Sequence, residues 1–294
     1  MKSFPLLPLG TLAGLLLALG TGCATTDFVT GKSVNNAYTL DEDIQLGKGF
    51  HAETLAQLNK ENQLINQDPV RLGMVRAITG RIAAVSDLPD LPYEITFVGD
   101  PKIINAYAFP GGNIMVFEGL WDSKEGLVQT LDELAAVIAH EIAHVTCRHA
   151  TEEMTREMIP NLAIAGGMIW ATLEEDKDLQ LLFAGIAVVH NGLIVTRYSR
   201  KDELEADRIG MMYMAKAGYD PAAAPRVWDR LAAASDSQMG KALSIFSTHP
   251  RDFLRSQELR KHLPEAQALY EAAPVKHKGT RKLSELPPLV TPEK

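Results

Sequence analysis

The 294-residue chain holds only two cysteines, Cys23 and Cys147, too few for a disulfide framework. It carries no excess of basic charge: 29 Lys plus Arg stand against 37 Asp plus Glu, a net charge of -8. An acidic chain of this kind has no electrostatic footprint for nucleic acid. No internal repeat of about 20 to 50 residues is visible, so nothing suggests a solenoid. Past the N-terminus, the apolar stretches Leu162 to Leu173 and Leu181 to Val195 are each too short to span a bilayer. The charged run from Glu174 to Asp178 separates them, and buried helices or a lid over a site are expected there. What remains, 46% hydrophobic and 22% charged residues, excludes a disordered chain. It suits one large compact domain with short appendages.

The N-terminus is read as an address. Lys2 is followed by an apolar run from Phe4 to Leu19 that contains Pro5, Pro8, Gly10 and Gly14, a poor spanning helix. The small residues Gly20, Thr21 and Gly22 then stand directly before Cys23. A short charged start, an apolar core and a small-residue cut site describe a secretory signal over residues 1–22. A cut before a cysteine resembles a bacterial lipoprotein signal, although Gly20 stands where such signals usually place Leu. The resemblance implies a lipid-modified Cys23 that anchors the chain, since more than one acyl chain gives stable attachment. The alternative is an uncleaved anchor over the uncharged residues 3–26. Both readings place the rest of the chain outside the cytoplasm. Ala24 rather than Asp after Cys23 favours the outer membrane.

Residues 23–40 are polar and turn-rich and are expected to form a flexible tether. Helices are expected from Asp41 to Asn66 and from Val70 to Val85, and a strand over Tyr93 to Val98. Ile103 to Phe109 and Ile114 to Phe117 flank Pro110-Gly111-Gly112-Asn113, which predicts a hairpin. Thr130 with Glu133 forms a capping-box pattern, and Leu134, Ile138, Ile142 and Val145 continue at helical spacing. Ser199 is placed as the N-cap of a helix to Ala217, with Gly218 closing it. The compact domain is expected over residues 41–273. Residues 274–294 contain four prolines and read as a loose tail.

Within the helix that Thr130 opens stands His140-Glu141-Ile142-Ala143-His144, an H-E-x-x-H motif. Its i, i+4 spacing puts both imidazoles on one helix face, close enough to share a zinc ion, with Glu141 beside them as general base. The motif arises by chance in roughly 1% of chains of this composition. A catalytic zinc needs a third protein ligand and an open fourth position. Glu203 and Asp207, four apart on the second helix, offer a ligand and an acceptor for the outer N–H of a ligating imidazole. Spacing alone leaves this pair level with an ordinary solvated acidic pair. Glu205 is expected to be a surface charge.

H-E-x-x-H followed by Ser199-Arg200-Lys201-Asp202-Glu203-Leu204-Glu205-Ala206-Asp207 (S-R-x-x-E-x-x-A-D) resembles the HtpX-like zinc metalloendopeptidase family, which includes the CAAX prenyl proteases. The resemblance covers about Asp41 to Arg255 and implies an α+β, zincin-like domain. That domain is mostly helical, with a small sheet whose edge strand borders the cleft. By the resemblance Glu203 is the third ligand, Asp207 supports a ligating histidine, and one Zn2+ is bound per chain. Ala106, Tyr107, Ala108 and Phe109 look like the family's edge strand, along which a substrate peptide lies as an added strand. Thr248-His249-Pro250 with Arg255 resembles its H-P-x-x-x-x-R element. His249 and Arg255 are then expected near the scissile carbonyl, stabilising the oxyanion, or His249 approaches the metal and keeps the enzyme latent. Those prenyl proteases span the membrane several times; this chain looks most like the short, lipid-anchored periplasmic members.

His149, five residues past His144, is expected to be rotated off the His140/His144 face, supporting a ligand or lying on the surface rather than ligating, and Cys147 to be a free, largely buried thiol. Met211, Met212 and Met214 are expected in the core, and Tyr198 beside the site. His51, His190, His262 and His277 show no ligand spacing. The function expected is zinc-dependent endoproteolysis in the bacterial envelope, acting on unfolded or misassembled envelope proteins. The rival is a non-catalytic lipoprotein that assists outer-membrane protein assembly.

Overall fold

In the computed structural model the described residues are 24–121, 126–174, 177–181, 198–233, 254–277, 279 and 282–286. The chain divides into two compact units, residues 1–39 with 151–194 and residues 40–150 with 195–294.

In the first unit, strand β1 (Ala24–Thr26) pairs antiparallel with β2 (Ser33–Asn35). Asp27 holds the turn between them: its Oδ1 accepts from the amides of Val29 and Thr30, at 3.1 and 2.5 Å. Asn36 Nδ2 donates to Thr151 Oγ1 at 3.0 Å, and the Ala37 amide donates to Thr155 Oγ1 at 3.0 Å. Residues 24–37, expected to form a flexible tether, thus carry a strand pair and these side-chain hydrogen bonds. The helix His149–Leu173 continues in this unit from Thr151. Met158, Leu162, Ile169, Trp170 and Leu173 on it are exposed, which corrects the expectation of a buried helix. Of the second apolar stretch only Leu181 is described. Among the described residues no helix is long and apolar enough to cross a membrane.

The second unit opens with α1 (Leu40–Lys60) and α2 (Pro69–Ala83). Asp68 caps α2 by accepting from the Arg71 amide at 2.8 Å, and Pro69 fills the first helical position. Strands β3 (Glu94–Val98), β4 (Ala106–Ala108) and β5 (Asn113–Phe117) form a sheet in the order β3-β5-β4. The expected hairpin is the antiparallel β4–β5 pair, while β3 runs parallel to β5. Gly111 has φ +73, and a Cβ there would stand 2.4 Å from Ile44 Cα, so glycine lets α1 close on the hairpin turn. Leu58, Val98, Met115 and Phe117 form an apolar cluster there.

Helix α3 (Leu131–Thr146) carries the H-E-x-x-H motif and is buried along nearly its whole length. Thr130 Oγ1 accepts from the Glu133 amide at 3.3 Å, as the capping pattern predicts. Glu133 departs from that pattern: its carboxylate accepts from the Gln129 amide at 2.7 Å. It also faces Arg226 and Arg230. Numbering the His149–Leu173 helix α4, the later helices are α5 (Arg200–Lys216), α6 (Ala223–Ala233) and α7 (Arg255–Ala272). A complete capping box between Ser199 and Asp202 starts α5. Gly218, at φ +83, ends it. The methionines Met211, Met212 and Met214 are buried, as expected.

The described residues of the expected loose tail are hydrogen-bonded to the start of α3. The Asp132 amide donates to Gly279 O at 3.0 Å, and the Leu283 amide to Gln129 O at 2.9 Å. Lys282 bridges to Thr130, and Leu283 is buried. The described part of the tail thus closes the N-terminus of α3, where four helix amides need acceptors.

Candidate active site

The first turns of α3 are anchored by Thr130, and three turns further on the helix presents His140, Glu141 and His144, all buried. Helix α5 lies against it, and Gly210 makes that approach possible. A Cβ on Gly210 would stand 2.8 Å from the His140 amide nitrogen. The close contact brings Glu203 and Asp207 to the histidine face, and both are buried.

His140 Nε2 and His144 Nε2 are 3.1 Å apart. Glu203 places Oε2 3.6 Å from His140 Nε2 and Oε1 3.6 Å from His144 Nε2. All three donor groups fall within 4.8 Å of one another. A tetrahedral ion with bonds near 2.0–2.2 Å requires ligand separations of about 3.3–3.6 Å. The two Glu203 separations fall in that range and the histidine pair lies about 0.2 Å under it, so two imidazoles and a carboxylate are grouped as a zinc-type ion needs.

Behind His140 a second layer is organised around Arg255, the first residue of α7. Asp207 Oδ1 lies 3.0 Å from His140 Nδ1. Arg255 grips Asp207 with two hydrogen bonds of 2.7 Å, and its NH1 stands 2.6 Å from Glu203 Oε2. Burial pushes the Asp207 carboxyl up, but Arg255 and His140 outweigh it and hold it at about 2. Burial acts to lower the Arg255 pKa, while Asp207 and Glu203 raise it further, so the guanidinium stays charged. Glu141 adds to the field on Arg255. Trp228 of α6 covers both Arg255 and His140, with its ring 3.9 Å from the Arg255 guanidinium and 5.2 Å from the His140 centroid.

His144 is enclosed differently. Tyr198 stacks on its ring at 3.9 Å and 18°, which is the placement expected beside the site. His149 Nδ1 lies 2.9 Å from His144 Nδ1, and His149 Nε2 is 3.6 Å from Glu205 Oε2. Glu205 therefore faces a buried histidine, with a side chain only 19% exposed, and is not the surface charge expected. Cys147 forms no disulfide among the described residues and is buried at the end of α3.

The structure thus brings together His140, Glu141, His144, Glu203, Asp207 and Arg255. Arg255, expected near the scissile carbonyl, pairs with the carboxylates of Asp207 and Glu203, and its NH2 also lies 3.4 Å from His140 Nε2. Ala106, Tyr107 and Ala108 form the outer strand of the sheet, with Phe109 next to them, and β4 has no second strand partner among the described residues. His249 and Cys23 lie outside the described residues. Sequence reasoning missed Trp228, Gly210 and the His149–Glu205 pair. An apolar stripe of Val227, Trp228 and Leu231 marks α6 as core-facing but does not say which ring it covers.

A model of the peptidase family M48 matches residues 69–263. The mitochondrial metalloendopeptidase OMA1 of Schizosaccharomyces pombe is 36% identical over 242 residues, 82% of this chain and 67% of that protein. The putative beta-barrel assembly-enhancing protease of Vibrio cholerae is 32% identical over 206 residues, 69% of this chain and 40% of its own length. The beta-barrel assembly-enhancing protease of Escherichia coli is 28% identical over 205 residues, again covering 40% of its length. The match thus spans well under half of these bacterial relatives. With two thirds of its length matched by the family model, and the buried histidine–carboxylate cluster inside that match, the chain belongs to peptidase family M48.

Proposed function

We propose that this protein is a zinc metalloendopeptidase of the bacterial cell envelope that cleaves unfolded or misassembled envelope polypeptides. The observation that carries the proposal is the convergence of His140 Nε2, His144 Nε2 and Glu203 at 3.1–3.6 Å beside buried Glu141. Zinc held by those three side chains supplies a Lewis acid and lowers the pKa of water toward ~7. Glu141 takes the proton of the attacking water on its carboxylate and delivers it to the departing amide nitrogen. Asp207 accepts the His140 Nδ1–H and leaves the Nε2 lone pair available, and Arg255 holds Asp207 and Glu203 in place. His249 either donates to the oxyanion or keeps the site latent. Faster turnover in His249→Ala identifies latency, and slower turnover identifies the oxyanion role.

The outer edge of β4 is the surface on which an extended substrate is proposed to add as a strand, through Ala106, Tyr107 and Ala108 with Phe109 beyond. Backbone pairing reads no sequence, which suits substrates defined by being unfolded. The names of the bacterial relatives support the envelope setting, and a lipid on Cys23 is the proposed membrane attachment. The exposed, uncharged face of α4 between Glu157 and Glu174 is compatible with work close to a bilayer.

The test uses the full chain, wild type beside Glu141→Gln, with casein, a long N-terminally blocked peptide, and metal analysis. Zinc in both proteins and internal cleavage of the blocked peptide by wild type alone is the expected result. Equal cleavage by both would sink the mechanism. Zinc in both with cleavage by neither, persisting in His249→Ala, would favour the non-catalytic assembly role.

A further inference from the structure

His149 stands five residues after His144, and on a straight helix it would be rotated about 140° away from it. The chain does not run straight. Helix α3 stops at Cys147, and Arg148 adopts φ +57, an unusual conformation for a residue with a Cβ. Asp43 of α1 holds Arg148 there through two contacts of 2.6 and 3.0 Å. The turn sends His149 back under the metal face, where it is 1% exposed. The His144 and His149 rings meet edge-on, 4.9 Å apart at 73°, with their Nδ1 atoms 2.9 Å apart.

We infer that His149 is a positioning residue for His144, doing for the second histidine what Asp207 does for the first. Two facing ring nitrogens at 2.9 Å need one proton between them. If His144 offers its Nε2 lone pair to a metal, its proton sits on Nδ1 and is donated to His149 Nδ1. His149 then carries its own proton on Nε2, the atom that faces Glu205 Oε2 at 3.6 Å. With the protons so placed, the chain His144–His149–Glu205 ends on a carboxylate. Tyr198, stacked on the His144 ring, blocks rotation out of this arrangement. The two ligating histidines are thus supported unequally. His140 leans directly on a carboxylate gripped by arginine, and His144 leans on a neutral imidazole one step removed from its carboxylate.

The inference rests on the zinc reading above, and its test separates the two. The full-length protein is titrated with zinc against a chelating indicator, and the visible absorption of its cobalt-substituted form is recorded. His149→Leu keeps bulk but removes the acceptor, and should weaken zinc binding about 10–100-fold. His149→Asn puts an acceptor oxygen near the Nδ1 position and should restore most of the affinity and the wild-type cobalt spectrum. Glu205→Leu, at a partly exposed position, tests the outer link without disturbing the core and should weaken binding by less than His149→Leu. Wild-type affinity in His149→Leu overturns the inference. Equal losses in the Leu and Asn variants also overturn it, because packing alone would then explain His149. If His149→Leu does not fold, unchanged affinity in Glu205→Leu overturns it. A wild-type protein that binds no zinc overturns the metal reading and this inference with it.

Discussion

Arg255 is buried, and Asp207, Glu203, His140 and Trp228 surround its guanidinium. Removing the guanidinium leaves two buried carboxylates facing each other across His140. Breaking a buried pair in this way costs about 3–5 kcal/mol, most of it from the stranded charge. Arg255→Leu should therefore lose about that much stability in the metal-free protein. Part should return on adding zinc, because an ion on Glu203 replaces half of what Arg255 neutralised. Urea unfolding with and without zinc measures both quantities, and a loss that zinc leaves untouched would argue against Glu203 as a ligand. Glu141→Gln is the complementary change: zinc content and stability should stay near wild type, while turnover falls by about 100-fold or more. At this scale the sequence was legible wherever helical spacing decides which side chains share a face, as for His140 with His144 and Glu203 with Asp207. It was not legible at His149, because no glycine marks the break at Arg148. The break is held by Asp43, more than a hundred residues away in sequence.

Between elements, the contact of α5 with α3 decides whether the carboxylates reach the histidines at all. Two glycines give opposite expectations. Gly166 on α4 has nothing within 4 Å of where a Cβ would stand, so Gly166→Ala should stabilise by about 0.5–1 kcal/mol through helix propensity alone. Gly210→Ala gains the same propensity but puts its Cβ 2.8 Å from the His140 nitrogen and 2.9 Å from the Ala139 carbonyl carbon. Overpacking of that kind costs about 1–3 kcal/mol, so the net change should be destabilising, with weakened zinc binding. Thermal melts of the two variants and a zinc titration of Gly210→Ala check the sign of each. A stabilised Gly210→Ala would mean that the helices can move apart without harm to the site. Capping residues made the starts of α2, α3 and α5 legible from Asp68, Thr130 and Ser199. The hairpin was legible from Pro110 to Asn113. The parallel pairing of β3 with β5 was not, since alternation along a strand says which face is buried and nothing about which strand lies beside it.

At the scale of the whole second unit, the described C-terminal segment converges on one residue at the start of the H-E-x-x-H helix. Asp132 donates its amide to Gly279 O and accepts the Asp220 amide on Oδ1 at 3.1 Å, so it joins the tail and the α5–α6 turn to α3. Four prolines hid this docking from the sequence: they mark the absence of regular structure, which is not the absence of structure. Burial pushes the Asp132 carboxyl up to about 6. The charges of Asp220 and Glu133 act in the same direction, against the Asp220 amide and Arg226. With an ordinary value of 3.8, the folded chain holds a proton here that the unfolded chain has released over the range from 3.8 to about 6. Where the folded state binds more protons, stability falls as pH rises. Asp132 should therefore contribute stability that is fully present below about pH 4 and lost by about pH 6. Asp132→Asn has no proton to release, so its stability relative to wild type should rise steadily between pH 4 and pH 6 and level off above. Urea midpoints for the two proteins across that range measure the difference directly. A difference that stays constant with pH would show that Asp132 titrates as it does in the unfolded chain, and that the junction is held by its backbone alone.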